Sequence, residues 1–302
     1  MNHTVNQGRT RSTASDKVYY TVSGILLTFI LIAVSYPLIF ILSASLSSGD
    51  AVSSGKVMLW PVDLSLEGYL AVFKNKDIGG AYLNTLFYTV VGTFINVTLV
   101  MTCAYALSRP KVMGRNFFMF LFTFTMFFSG GLIPFYILLK DLSVLNTIWA
   151  MVLPGALSIY NMIIARTFIQ STLPGELLEA SKMDGCSDFR FFFSFVLPLS
   201  KAVIAVIALF SAVGHWNAYF SALMFLNDRE LYPLQIILRE ILIMNQVDIS
   251  MLIDPELQLA KANTAAVLKY SLIVVATVPI LCVYPFIQRY FVKGVMIGSL
   301  KG

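Results

Sequence analysis

The sequence predicts an all-α membrane protein with six transmembrane helices. Hydrophobic residues make up 58% of the 302-residue chain and charged residues only 12%, about half the charge of a typical soluble domain. Six apolar runs are each near or above the ~20 residues an α-helix needs to cross a bilayer. None of the six contains an Asp or a Glu.

Residues 1–17 are polar and basic, with Arg9, Arg11 and Lys17 against Asp16, and read as a disordered cytoplasmic tail. The six-helix domain then covers 18–291. Its first run, 18–46, ends on Ser43-Ala44-Ser45, which has the look of a signal-peptide cleavage site. The apolar stretch is far longer than the roughly 7–15 residues of a signal core, so it is the first span. The other runs cover 81–107, 117–139, 147–168, 202–226 and 265–291. Prolines inside them (Pro37, Pro134, Pro154, Pro279 and Pro285) are tolerable in a bundle whose neighbours satisfy the freed carbonyls. Gly130-Gly131 ahead of Pro134 marks a break, or close packing, near the outer end of the third helix.

Two connections are long. Residues 47–80 carry Trp60-Pro61 and mixed charge, which suits a loop with a short interfacial helix. Between the fifth and sixth runs, Leu234, Ile237, Leu238, Ile241 and Leu242 recur at helical spacing with Arg239 and Glu240 opposite. That pattern is an amphipathic helix over 233–244, lying in the interface or against a partner. Residues 245–261 are polar and acidic and read as mobile, and 292–302 form a C-terminal tail.

Thirteen of the 21 Lys and Arg fall inside when both termini are cytoplasmic. The tight loop Arg109-Pro110-Lys111 to Arg115 holds three of them and no acid, as the positive-inside rule requires. The net charge of +5 is distributed by membrane side rather than clustered, so no nucleic-acid partner is implied.

One inner stretch does not belong in a membrane. It reads Leu173-Pro174-Gly175-Glu176-Leu177-Leu178-Glu179-Ala180-Ser181-Lys182-Met183-Asp184-Gly185 and continues to Phe195-Val196-Leu197-Pro198. Pro174 is preset for a first turn, Glu176 and Glu179 suit the positive helix end, and Gly185 stands where a left-handed cap is needed. Leu177, Ala180 and Ser181 share one small face. So short a helix buries too little to be stable alone and calls for a groove on another protein.

The chemistry that is missing is equally informative. Without an intramembrane carboxylate, a self-powered ion-coupled carrier has nothing to bind its coupling ion. His3 and His215 are the only histidines, and Cys103, Cys186 and Cys282 are widely spaced with no CxxC. No metal-binding, nucleophile-elbow or phosphate-loop motif is present, so the chain is no enzyme, binds no cofactor and cannot hydrolyse ATP itself. A polar cluster, Gly214-His215-Trp216-Asn217-Ala218-Tyr219, interrupts the fifth run. It is either an interfacial aromatic belt or a pathway wall whose rings stack on sugars while His215 and Asn217 hydrogen-bond hydroxyls.

The 174–198 segment resembles the EAA motif of ABC importer permeases: E-A-A, three residues, G, nine residues, I-x-L-P. Glu179, Ala180, Gly185, Leu197 and Pro198 stand at that spacing, with Ser181 for the second Ala and Phe195 for the Ile. Both departures keep the side chain small or apolar. The tail from Phe291 to Gly302 resembles that of the maltose-type second permease. Gly130-Gly131-Leu132-Ile133-Pro134-Phe135-Tyr136, Asn161-Met162-Ile163-Ile164 and Gly214-His215-Trp216-Asn217 are similar to the oligosaccharide or aldouronate branch of the carbohydrate-uptake (MalG-like) family.

That resemblance implies a type I ABC importer permease fold in the plasma membrane and a pathway through which a sugar moves by alternating access. The coupling residues it implies are Glu179, Ala180, Ser181, Asp184, Gly185, Phe195, Leu197 and Pro198. It implies four kinds of partner: a second homologous permease, two copies of an ATPase that hydrolyses ATP, an extracytoplasmic solute-binding protein, and membrane lipids. An importer for a non-sugar solute would share the same coupling segment.

Overall fold

The Asp16 carboxylate accepts the Thr13 N–H at 2.9 Å and starts the first helix, α1 (Ala14–Ser45). The computed structural model describes residues 13–250 and 255–299, so most of the N-terminal tail and residues 251–254 and 300–302 lie outside the described residues. Among these residues the structure is helical, with no strand beyond one isolated bridge, Ser47 to Leu64.

The chain divides into two units. The first comprises Met1–Leu70 and Ile249–Val274. In it, no residue in the most apolar part of α1 is buried, as expected of a helix facing lipid. Its C-terminal end is where protein packing begins. Phe40 meets the Tyr270 ring edge-on at 5.6 Å, and the Ser271 hydroxyl donates to the Ser45 carbonyl at 3.3 Å. Ser48 caps the short α2 (Gly49–Ser53), whose Asp50 accepts from the Asn263 amide. Gly68, in α3 (Glu67–Lys74), lies so close to Val267 and Ser271 that a Cβ there would overlap both.

The second unit, Ala71–Asp248 and Val275–Gly302, is built on α4 (Lys76–Ser108), capped by the Asn75 side chain accepting from Asp77 N at 3.0 Å. Ile78, Ala81, Thr85, Tyr88, Gly92, Asn96, Val100, Ala104 and Leu107 are its buried stripe. The spacing of three and four residues is one helix face. Three polar members of that stripe serve backbone groups at helix ends and breaks. Thr85 accepts from Leu234 N at 2.8 Å, Tyr88 OH donates to Leu231 O at 2.9 Å, and Asn96 Nδ2 donates to the carbonyls of Gly155 and Ala156. In lipid, irregular backbone persists only where protein groups satisfy it.

The expected spans meet several breaks. The third is α5 (Arg115–Phe127) and α6 (Leu132–Asp141), bent by 114°; the bend falls at Gly131, which adopts φ +86. The fourth is cut into α7 (Trp149–Val152) and α8 (Ile159–Thr172). Pro154 lacks an N–H, Gly155 turns left-handed at φ +76, and Ser158 restarts the helix by accepting from Asn161 N. After α9 (Gly175–Met183) and α10 (Asp188–Phe191) come a π-helical turn (Phe192–Val196) and α11 (Leu197–Leu199). A 79° bend then leads into α12 (Lys201–Trp216).

The fifth span stops earlier than expected, because Asn217 turns its side-chain amide back onto the Val213 carbonyl at 2.9 Å; α13 (Tyr219–Phe225) resumes beyond it. By length and apolarity, three helices among the described residues can cross a membrane, or up to five if each bent pair is one span. The interrupted fourth run is the one that does not qualify.

The amphipathic segment is α14 (Leu234–Ser250), longer than the expected 233–244 because nothing in 245–250 is Pro or Gly. Its first turns bury Leu234, Ile236 and Ile237 within this same unit. Arg229 ties it down, pairing with Glu240 at 3.2 Å and with Asp77 at 2.9 Å. The hydrogen bond to Asp77 holds the Arg229 guanidinium above its ordinary pKa. The last helix, α15 (Pro255–Ser299), runs past 291, so the expected tail begins as helix.

Candidate functional site

The segment singled out by its caps folds as a self-terminated helix. In α9, Cys186 N donates to Ser181 O at 2.9 Å and Gly185 N donates to Lys182 O at 3.0 Å. With Gly185 at φ +73, these two bonds are a Schellman cap. Ser187 then caps α10 by accepting from Arg190 N, and Lys182 pairs with Asp188 at 3.5 Å across the turn. The π-turn follows because Pro198 offers no N–H to the carbonyl four residues back; Leu197 N reaches Phe192 O instead.

The shared face expected of Leu177, Ala180 and Ser181 is divided in the structure. Leu177 and Leu178 pack on the core, and Ser181 is buried, its hydroxyl donating to Leu178 O at 2.8 Å. Glu179, Ala180, Asp184 and Gly185 are exposed, beside Met183 at 89% and Phe189 at 77%. The division arises because the helix lies on its own protein and uses one side for that. Phe195 stacks on Phe191 at 5.2 Å and Leu197 packs on the same core, while Pro198 is exposed.

Three residues that hold this segment escaped the sequence reading. The Arg109 guanidinium lies 4.3 Å from the Tyr105 ring centroid and 4.8 Å from that of Phe191, a double cation–π contact. Tyr105 OH donates to Asp188 O at 3.2 Å. The inner end of α4 is thereby joined to α10. In the sequence Arg109 registered only as one positive charge of an inner loop.

The polar cluster of the fifth run is dispersed. Trp216 is 5% exposed, its Nε1 donating to Ala276 O at 3.0 Å and its ring edge-on to Tyr82 at 5.8 Å. Tyr219 carries the Arg239 guanidinium over its ring at 4.6 Å, and Asn217 closes α12. His215 alone of the four faces a cavity of about 260 Å³. Its imidazole packs against Gly92 so closely that a Cβ there would overlap the ring. Asn161, Ser211 and Ser221 share that cavity; only Asn161 stood out in the sequence, and for a different reason.

A family described as binding-protein-dependent transport system inner membrane component matches residues 8–297. The polygalacturonan/rhamnogalacturonan transport system permease protein YtcP of Bacillus subtilis (strain 168) is 42% identical over 284 residues, 93% of this chain and 97% of its own length. Protein LplC of the same organism is 41% identical over 266 residues, 88% of this chain and 89% of its own length. Among solved structures, a chain of a bacterial ABC transporter involved in the import of the acidic polysaccharide alginate superposes with a TM-score of 0.83. It is 33% identical, and the match covers 92% of this chain and 98% of that one. A multi-pass helical chain with one capped helix held out on its surface, matched almost end to end, belongs to the family of inner membrane components of binding-protein-dependent transport systems.

Proposed function

We propose that this chain forms half of the translocation pathway of an ATP-driven importer for a sugar or oligosaccharide. As a member of its family it is a transporter rather than an enzyme, a permease of the type I ABC importer fold. Such permeases work in general with an ATPase, a binding protein and a second permease. The observation that carries the reading is α9, whose Schellman cap and inward Leu177 and Leu178 leave Glu179, Ala180 and Met183 facing outward. A rigid, short, amphipathic projection of this kind transmits a push without melting. Two ATPase copies dock on such helices, one from this chain and one from a homologous second permease, and their closure moves α9. Tyr105 and Arg109 pass that motion to α4.

Sugar as the cargo rests on the relatives, whose names specify polygalacturonan/rhamnogalacturonan and arabinooligosaccharides, and on a pathway wall rich in neutral hydrogen-bonding groups. The test is import by the complete transporter in lipid vesicles. ATP supports accumulation of a labelled oligosaccharide, and collapse of ion gradients leaves it unchanged. Accumulation that follows an ion gradient without ATP refutes the reading.

Both termini face the cytoplasm in this arrangement, as do the basic 109–115 loop and α9. In a cysteine-free background, an impermeant thiol reagent applied to intact cells labels Lys56→Cys and spares Met183→Cys. The opposite pattern inverts the topology.

A further inference from the structure

We propose that the cavity between α4, the α7–α8 break and α12 is a sugar subsite, taking a hydroxyl-bearing ring through neutral donors and acceptors. The proposal rests on the sugar-importer reading above and adds a site to it. The cavity holds about 260 Å³, just under the roughly 300–1,000 Å³ of pockets for drug-sized ligands, a size that suits one ring. Asn161, Ser211, His215 and Ser221 line it. Among the described residues none of these four side chains makes a hydrogen bond to protein, although Asn161 is 6% exposed.

These donors and acceptors open onto the cavity and are left free by the protein, and four converging on one cavity point to a ligand that supplies their partners. An amide, an imidazole and two hydroxyls each donate and accept, which matches the dual character of a sugar hydroxyl. No Asp, Glu, Lys or Arg lines the cavity, so the carboxylate of an acidic sugar finds no cation there and stays outside it. The break beside it is firm. Asn96 holds the Gly155 and Ala156 carbonyls, and Gly92 fixes the imidazole from behind. The wall is thus formed by a discontinuous helix, as at other membrane transport sites.

Gly214 supplies the test. It lines the cavity, sits in α12 with an ordinary helical backbone, and a Cβ added there meets nothing within 4 Å. A side chain can therefore start there without a clash, so Gly214→Leu is the variant that narrows the cavity, and loss of a glycine favours the helix. The complete transporter is reconstituted with wild-type, Gly214→Ala or Gly214→Leu permease. A neutral oligosaccharide and an oligouronide of matched length are the import probes, scored per assembled complex and per ATP hydrolysed.

Gly214→Leu is expected to lower sugar moved per ATP at least tenfold at unchanged assembly. Gly214→Ala falls in between, and Ser211→Ala with Ser221→Ala loses several-fold. Import by Gly214→Leu within twofold of a wild type that moves sugar overturns the subsite alone. A wild type that moves neither sugar, but does move another solute with ATP, overturns the sugar reading and the ligand class together.

Discussion

Gly185→Val is expected to lower ATP-driven uptake at least tenfold while the protein still enters the membrane. Gly185 adopts φ +73, a region that costs an L-residue about 1–2 kcal/mol, and a β-branched one more. A Cβ there meets no neighbour within 4 Å, so the fault is confined to the backbone of the turn. Relieving it releases the two cap bonds, Cys186 N to Ser181 O and Gly185 N to Lys182 O. The last turn of α9 then frays, and Met183 and Ala180 lose a fixed position at the surface on which we propose the ATPase docks.

An equilibrium shifted by 1–2 kcal/mol already removes the capped form several-fold to thirtyfold, and the proposed docking contacts of both helix and turn go with it. Uptake is expected to fall at least tenfold, and ATP hydrolysis to lose its dependence on sugar. Gly185→Asn, whose side chain tolerates the left-handed region, retains a substantial fraction of both. Equal uptake by the Val variant at equal membrane level removes α9 from the coupling path.

The parts of this protein that were legible in its sequence are those fixed by local chemistry. The cap residues of α9 lie within about a dozen positions, so Pro174, Gly185 and the run to Pro198 could be read as helix, stop and restart. The apolar runs likewise mark helices apolar enough for a membrane, which depends on composition alone. What the sequence did not show depends on partners far along the chain. Asn96 and the Gly155 carbonyl are 59 residues apart, and only their meeting explains why the fourth run can break. Arg109 looked like an inner-loop charge because its two aromatic partners include Phe191, which only the fold brings to it. The cavity residues were obscured by the same cause. A tryptophan within an apolar run is conspicuous whatever it faces, whereas Ser211 and Ser221 become noticeable only when a cavity collects them.

Trp216 separates those two kinds of reading by experiment. A stacking platform for sugar needs an open ring face; this indole is 5% exposed. Its one donor is occupied by Ala276 O at 3.0 Å, and Tyr82 meets it edge-on at 5.8 Å. Trp216 therefore fastens the end of α12 to α4 and to α15 within the second unit, beside the His215 wall and not part of it. Trp216→Ala leaves a large cavity and removes the indole's hydrogen bond to Ala276 O, a loss of about 3–5 kcal/mol, a large share of a typical domain's total stability.

The expected result is a fall in membrane yield and an apparent melting temperature lowered by several degrees, with each surviving complex importing sugar at near the wild-type rate. Trp216→Phe keeps most of the apolar area and an edge for Tyr82 but no donor, so its loss is smaller, about 0.5–1.5 kcal/mol for the hydrogen bond. The ranking Ala below Phe below wild type in stability, with uptake per complex flat across the three, is the signature of an anchor. Stable Trp216→Ala protein with uptake per complex reduced tenfold would instead show that the indole swings out to the pathway during transport, and the anchoring role would fall.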